Sequence, residues 1–287
     1  MSDPIPSPAF RVAVAIPCYN EAAAIGAVVD EWRHELPSAD IVVFDNNSTD
    51  DSCAVAARYG ARILSVPEQG KGWVVRRMFV ELANYDALVM IDGDGTYPAS
   101  AVGPLLDAIR EGKADMAVGI RQPGADPEAM SPIRSLGNRL IGAAFHVLVG
   151  PGTSDLLSGY RVFSGQALRT MKLRSQGFEI ETELAGEAVG RGLRVVEEPV
   201  PYRPRIAGTT SKLHVLRDGF RILGMILRLS LRLRPWRPLL MLSALLAIAA
   251  VLAQSDPLWI ASVLSFLAAV LAAAFVQVRR EAIRGTP

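Results

Sequence analysis

Between residues 11 and 91 the sequence alternates short apolar runs with stretches of helical periodicity, and that alternation narrows the possible folds more than any other feature. Arg11 to Ile16, Ile41 to Phe44, Arg62 to Val66 and Ala87 to Ile91 read as strands, the first broken at Pro17; the stretches ending at Leu36, Tyr59 and Ala83 read as helices. Strands and helices in turn at this spacing predict an α/β domain with a mostly parallel sheet covered on both faces. Ligands of such sheets lie beyond the C-terminal strand ends. The polar residues gather at those ends. Pro17, Tyr19 and Glu21 follow the first strand and Asp45 the second; Lys71 lies in the Gly70-Lys71-Gly72 loop after the third, and Asp92 and Asp94 close the fourth.

The last of these loops carries the most chemistry. From Ala87 to Pro98 an apolar run ends in Asp92-Gly93-Asp94-Gly95. Side chains alternate along a strand, so both carboxylates are expected on one side, while Gly93 and Gly95 let the backbone bend and a ligand approach closely. Two hard oxygen ligands suit a magnesium or manganese ion that also holds substrate phosphates. Asp and Gly also fill ordinary strand-to-helix turns, so the motif gains weight from the other rim residues. No glycine-rich dinucleotide fingerprint follows the first strand and no Walker phosphate loop occurs, which argues against a redox cofactor and against ATP hydrolysis.

Half of the 287 residues are hydrophobic, enough to fill one domain core with an excess left over. The excess sits at the C-terminus. Leu239 to Ala253 is apolar apart from Ser243, and after Gln254-Ser255-Asp256-Pro257 a second run, Leu258 to Val278, carries no charge. Crossing a bilayer takes about 20 residues, so these runs predict a membrane hairpin over 236–278. Nine lysines or arginines and the single acid Asp218 lie between Arg203 and Arg237; Arg279, Arg280 and Arg284 follow the second run and no base lies in the turn. Both ends are therefore expected in the cytoplasm, with residues 279–287 as a cytoplasmic tail. The lead, residues 1–10, is rich in proline and lacks a basic segment before an apolar core, so no signal peptide is expected. Cys18 and Cys53 show no metal-ligand spacing, His34, His146 and His214 are scattered, and no nucleic-acid partner is expected.

At this point the sequence resembles glycosyltransferase family 2 with its GT-A fold, and within it enzymes similar to the dolichol-phosphate mannose and glucose synthases. Seven segments carry the resemblance in the family's order: IPCYNE at 16–21, DNNSTDDS at 45–52, GKGWVVRRMF at 70–79, DGDGTYP at 92–98, SGYRVFS at 158–164, GFEIETEL at 177–184 and SKL at 211–213. The resemblance implies a GT-A domain over 11–212 that transfers a sugar, with inversion, from a UDP- or GDP-linked donor to a polyprenyl phosphate. By position, Pro17, Tyr19, Glu21 and Asp45 would border the nucleotide, with Asp45 meeting the base and Lys71 nearby. Asp92, with Gly93, would contact ribose or phosphate, and Asp94 would bind the metal beside it. Thr96 stands where related members carry Gln, and Asn46 where the usual acidic pair has its second Asp.

Sugar transfer builds negative charge on a diphosphate leaving group, where a cation is most effective. A lipid monophosphate acceptor is already largely dianionic near neutrality, its second pKa being about 6, so it calls less for a base than for positive charge to hold it. Candidates are Arg121 after the fifth strand (Met116 to Ile120), Arg134 and Arg139 around the next helix, and Arg205 with Ser211 and Lys212 in RIAGTTSKL. The resemblance favours Arg134 and Arg205 as phosphate clamps; Arg205 and Lys212 also fit plain membrane-proximal charges. Asp155 and Glu181 complete the catalytic candidates, although acids at a helix start, such as Glu179, Glu181 and Glu183, also simply complement the helix dipole.

Residues 213–235 predict a basic amphipathic helix. Arg217, Arg221, Arg228 and Arg232 are four, seven and four residues apart, one sector at about 100° per residue, with Leu216, Phe220, Leu223, Leu227 and Leu231 elsewhere around it. The arginines are expected on anionic membrane lipid; a partner or oligomer surface is the alternative. Small residues such as Ala247, Ala250 and Ala261 would permit a homo-oligomer through the hairpin. A processive polysaccharide synthase would carry a Gln-x-x-Arg-Trp motif and more membrane helices, and neither is found. A catalytically silent nucleotide-sugar-binding scaffold remains the other reading.

Overall fold

A computed structural model describes residues 10–122, 132–209, 212 and 214–284. In chain order the elements are β1 (Val12–Cys18), α1 (Ala22–Glu35), β2 (Asp40–Asp45), α2 (Ser52–Arg58), β3 (Arg62–Ser65), α3 (Lys71–Glu81), β4 (Ala87–Met90), a 3-10 turn (Ala99–Ala101), α4 (Val102–Arg110), β5 (Met116–Arg121), α5 (Pro132–Leu148), β6 (Arg161–Ser164), α6 (Gly165–Thr170), α7 (Ile180–Arg191), β7 (Val195–Val200), α8 (Val215–Leu233), α9 (Trp236–Ala253) and α10 (Asp256–Arg284). The strands form one sheet in the order β3-β2-β1-β4-β6-β5-β7. Every neighbouring pair is parallel except those made by β6, which runs against β4 and β5. The start of β6 therefore lies at the same rim as the C-terminal ends of the others.

Alternation along each strand splits the core. Val14 and Ile16 of β1 pack with Ile25, Val29 and Trp32 of α1 and Leu105 of α4; Ala13 and Ala15 face Val75 and Met78 of α3 and Leu184 of α7 on the other side. Both sheet faces are covered, which is why the strands read as unbroken apolar runs. A third cluster joins Phe145 of α5 and Val149 just beyond its end, Ala185 of α7, and Ile222, Met225, Ile226 and Leu229 of α8. Helices α7 and α8 meet closely because Gly186 has no side chain: a Cβ there would lie 2.5 Å from Leu229 Cδ1.

Pro17 does not end β1, which continues to Cys18. Carbonyls alternate sides along a strand: that of Ala15 accepts from Ile91 and that of Cys18 from Asn46. Pro17 thus faces the β4 side one step past the last β1–β4 pair, Ala15 with Met90, where no ladder bond is lost.

Helix α9 and residues 256–277 of α10 are long and apolar enough to cross a membrane, with mean hydropathy of 1.9 and 2.4. They pack as a hairpin turned at Gln254, in a left-handed conformation at φ +47°. The turn is shorter than the sequence suggests, since Asp256 and Pro257 already belong to the first turn of α10, where an acid and a proline are both favoured. Small residues are used inside the hairpin. Ser243 and Ser262 exchange hydroxyl-to-carbonyl hydrogen bonds of 3.0 Å each way, and Ala250 and Ala269 are buried. The hairpin is tied to the domain through α5, whose last carbonyls accept from Ser230 at 2.9 Å and from Arg237 at 2.8 Å, side chains that meet the exposed acceptors of a helix end.

Candidate active site

Asp92 and Asp94 lie beyond Met90, the last residue of β4, so strand alternation does not orient them as the sequence suggested. A loop with Gly95 at φ +76° delivers both to one cleft. Asp94 is buried, and its two oxygens are committed differently. Oδ1 accepts from the Thr96 amide at 3.1 Å and hydroxyl at 2.7 Å; Oδ2 faces the Arg205 guanidinium at 2.6 Å. Burial and the charge of Asp92 raise the Asp94 pKa against the pull of Arg205 and Thr96. Thr96, where a third metal contact was in question, instead orients the metal-binding candidate. The segment carrying Arg205 is held over the loop by Arg203 N to Thr96 O at 2.8 Å.

Lys71, at the first turn of α3, bridges Asp92 Oδ1 and Glu181 Oε1 at 2.6 Å each. Burial opposes the Lys71 charge, and the two carboxylates outweigh it and raise its pKa. Burial likewise opposes ionisation of Asp92, but Lys71, with Arg205 and Arg121, keeps it below the usual carboxylate range. Glu181 is thus linked to Asp92 through Lys71. The loop before Lys71 is fixed by buried Asn46, whose amide donates to Val66 O at 3.0 Å and Glu68 O at 2.7 Å while its oxygen accepts from Gly70 N at 2.7 Å. An aspartate could not make the two donations, which explains the departure at this position.

Pro17, Tyr19, Glu21, Lys71, Asp92, Gly93, Asp94, Arg121, Glu181, Arg205 and Lys212 all line the cleft. Glu21 is buried with Oε2 unpaired; burial first, then Asp94, pushes its pKa up to about 7 against Lys212 and Arg205. Asp45 is not in the lining: it is buried, and its Oδ1 accepts from Ser48 N at 3.2 Å, shaping the turn in which Asn46 reaches the cleft instead. Asp155 grips Arg121 through bonds of 2.7 and 2.5 Å, so it acts on the cleft through that guanidinium, and Arg121 is neutralised on one edge. Arg139 is exposed on α5 and does not line the cleft, whereas its neighbours Gly137, Asn138 and Ile141 do. Ser211 and the side chain of Arg134 lie outside the described residues.

Sequence reasoning missed Gly159. It precedes β6, whose reversed direction brings it to the rim, and a Cβ there would lie 2.2 Å from Asp92 Oδ2. It also gave the arginines of α8 no place in the cleft. Arg217, Arg221 and Arg228 line the cleft, and Arg232 pairs with buried Glu187 at 2.5 Å. Beside these arginines, which are themselves exposed, α8 also exposes an apolar row: Phe220, Leu223, Leu227 and Leu231. The spacing of charged and apolar residues reveals that a helix has two faces, but packing on α5 and α7 decides which polar residues turn inward.

With a volume of about 990 Å³, the cleft is at the upper end of small-molecule sites, with room for a nucleotide and a second substrate. Residues 13–169, more than half of the chain, match the model of glycosyl transferase family 2. The chain belongs to that family. Among relatives, the glycosyltransferase AglJ of Haloferax volcanii is 38% identical over 208 residues, 72% of this chain and 68% of that one. The polyprenol monophosphomannose synthase of Mycolicibacterium smegmatis is 29% identical over 226 residues, 71% of this chain and 81% of that one. In structure the chain is similar to glucosyl-3-phosphoglycerate synthase of Mycobacterium tuberculosis in complex with Mn2+, UDP-glucose and phosphoglyceric acid. The TM-score is 0.62 at 22% identity, over 78% of this chain and 79% of that one, a likeness of fold.

The family 2 glycosyltransferase transfers sugar from a nucleotide sugar, and its GT-A fold sets Asp92 and Asp94 at a single rim. Gly159→Ala tests how tightly that rim is built. The added methyl displaces Asp92, and misplacement on the scale of 1 Å costs about 100-fold in rate. We expect kcat to fall by about that factor; activity within threefold of wild type would show that Asp92 tolerates the displacement.

Proposed function

We propose that this glycosyltransferase moves a sugar from a UDP- or GDP-linked donor to a polyprenyl phosphate at the cytoplasmic face of a membrane, with inversion and with a divalent cation. The observation that carries the reading is one cleft holding Asp92, Asp94, Arg205 and Lys212 and walled by α8, a helix that exposes an apolar row beside its arginines and leads into the hairpin. Similarity to a polyprenol monophosphomannose synthase supports the same acceptor class. Bases flanking the two apolar helices, with none in their turn, support a hairpin whose ends both lie in the cytoplasm.

The residues fit a cation: Asp94 is buried, and its outward oxygen already faces a positive group, the Arg205 guanidinium. Asp94, with Asp92, would hold magnesium or manganese. Such an ion supplies charge against the departing diphosphate. Pro17, Tyr19 and Glu21 border the donor, Lys71 keeps Asp92 ionised, and Glu181 holds Lys71 in place. The acceptor oxygen needs no proton removed near neutral pH; Arg205 and Lys212 offset the repulsion between its phosphate and those of the donor, and the apolar side of α8 keeps the site at headgroup height.

Purified protein in detergent or vesicles, a short-chain polyprenyl phosphate and a panel of radiolabelled UDP and GDP sugars test this directly, with and without EDTA. One lipid-linked sugar, formed only without EDTA, is expected. A long polymer would point to a polysaccharide synthase, and silence with every donor to a scaffold; either result overturns the proposal.

A further inference from the structure

Helix α8 divides into three sectors, and only two have a use so far. At about 100° per residue, Ile222, Met225, Ile226 and Leu229 form the core sector and are buried. Phe220, Leu223, Leu227 and Leu231 form a second, apolar and exposed. Arg217, Arg221 and Arg228 fall within about 40° of each other between these two, and all three line the cleft. A rise of about 1.5 Å per residue sets them roughly 6 and 10 Å apart along the axis, a row running down the cleft wall.

The row keeps an excess of positive charge. Asp218 is shared, with Arg217 Nε at 3.4 Å and Arg221 Nη1 at 3.9 Å, and its other oxygen accepts from the His214 amide at 2.8 Å. Glu179, across the cleft near Arg221, is held by the amides of Gln176 and Gly177. Arg228 has no carboxylate within ion-pair distance among the described residues. At the N-terminal end of the row the cleft continues past Lys212 to Arg205, the guanidinium on Asp94.

We infer that Arg228, Arg221 and Arg217 are the entry track for the acceptor: they bind its phosphate monoester at the membrane surface and pass it along the wall to Lys212 and Arg205. This rests on the proposed lipid-phosphate acceptor. The geometry favours it over anchoring on bulk anionic lipid alone, because the arginines, though exposed, line the cleft wall, and the apolar sector suited to the bilayer lies beside them. A lipid lying on Phe220 and Leu227 has its headgroup beside the arginine sector, where planar guanidinium forks match phosphate oxygens.

The test uses the full-length protein in neutral phosphatidylcholine vesicles and in vesicles with added anionic lipid. Arg228→Gln and Arg221→Gln are each expected to raise the KM for polyprenyl phosphate about tenfold, the size of one lost charge-assisted hydrogen bond, with the donor KM changed less than twofold. Arg228→Lys should recover part of the loss. The increase should appear in both vesicle types, and the steep salt dependence of the acceptor KM should flatten in the variants. An unchanged acceptor KM overturns the track while leaving the acceptor class standing. An effect confined to anionic vesicles overturns it in favour of bulk-lipid anchoring. A wild-type protein that does not glycosylate the lipid phosphate at all overturns the parent reading, and the track falls with it.

Discussion

Asp94→Asn is expected to lower kcat by about 1000-fold or more while leaving the fold at least as stable as wild type. The activity loss follows from what the side chain holds. One oxygen is fixed by the Thr96 amide and hydroxyl, so the other is aimed into the cleft at the Arg205 guanidinium. The amide keeps the shape and loses the charge that would bind a cation beside the leaving diphosphate. Removing one preorganised electrostatic contact at a reacting centre costs about 100- to 1000-fold, and loss of a metal position costs more. The amide also turns a donor toward the donors of Arg205, so that pair opens. Stability moves the other way. Burial and Asp92 raise the Asp94 pKa in the folded protein, so its charged form disfavours folding at neutral pH, and a neutral isostere relieves that. Measuring kcat, the melting temperature and Mn2+ binding on one preparation checks all three expectations. Turnover within tenfold of wild type would remove Asp94 from the centre of the reaction.

This opposition between stability and activity at one carboxylate explains why the acids were readable from the sequence. A buried charge with no structural need stands out against an apolar run, and Asp92 and Asp94 do so after Ala87 to Met90. The parallel strands were legible for a similar reason, since burial on both faces leaves continuous apolar segments. What the sequence hid depends on direction and packing. Nothing in Arg161 to Ser164 says that β6 runs against its neighbours, yet that reversal puts Gly159 against Asp92 and Asp155 beside Arg121. Asp45 and Asn46 look alike in a turn, and only the carbonyls of Val66 and Glu68, brought together by β3 and its following loop, decide that the amide reaches the cleft and the acid does not. The α8 arginines were legible as a sector. Their direction was set by Ile222, Ile226 and Leu229 seating the helix on α5 and α7, a tertiary fact.

The same logic gives the largest stability effect to Lys71. Its ammonium lies between Asp92 and Glu181 at 2.6 Å from each, and Glu181 is buried. Lys71→Met fills the space with a side chain of similar length and leaves two carboxylates facing each other without the cation between them. Breaking a buried ion pair by removing one partner costs about 3–5 kcal/mol, and for a domain of this size each kcal/mol is about 2–4 °C of melting temperature. A fall of at least about 6 °C at pH 7 is therefore expected. The pH dependence separates this cause from lost packing. In the wild type the Asp92 pKa is lowered, so its contribution is present above the unfolded pKa and is lost as pH falls through the folded one. In Lys71→Met the Asp92 and Glu181 carboxylates lose the ammonium between them, with only Arg205 and Arg121 left to offset Asp92, so the penalty is full at neutral pH and shrinks as acid neutralises the pair. The two stability curves should converge below about pH 4, near the ordinary carboxylate values. The double variant Lys71→Met/Glu181→Gln should regain part of the loss at pH 7, because one of the two stranded charges is gone and neighbours in one network are not additive. A deficit that stays constant from pH 8 to pH 4, or a double variant no more stable than the single, would mean that Lys71 holds the site by shape and not by charge.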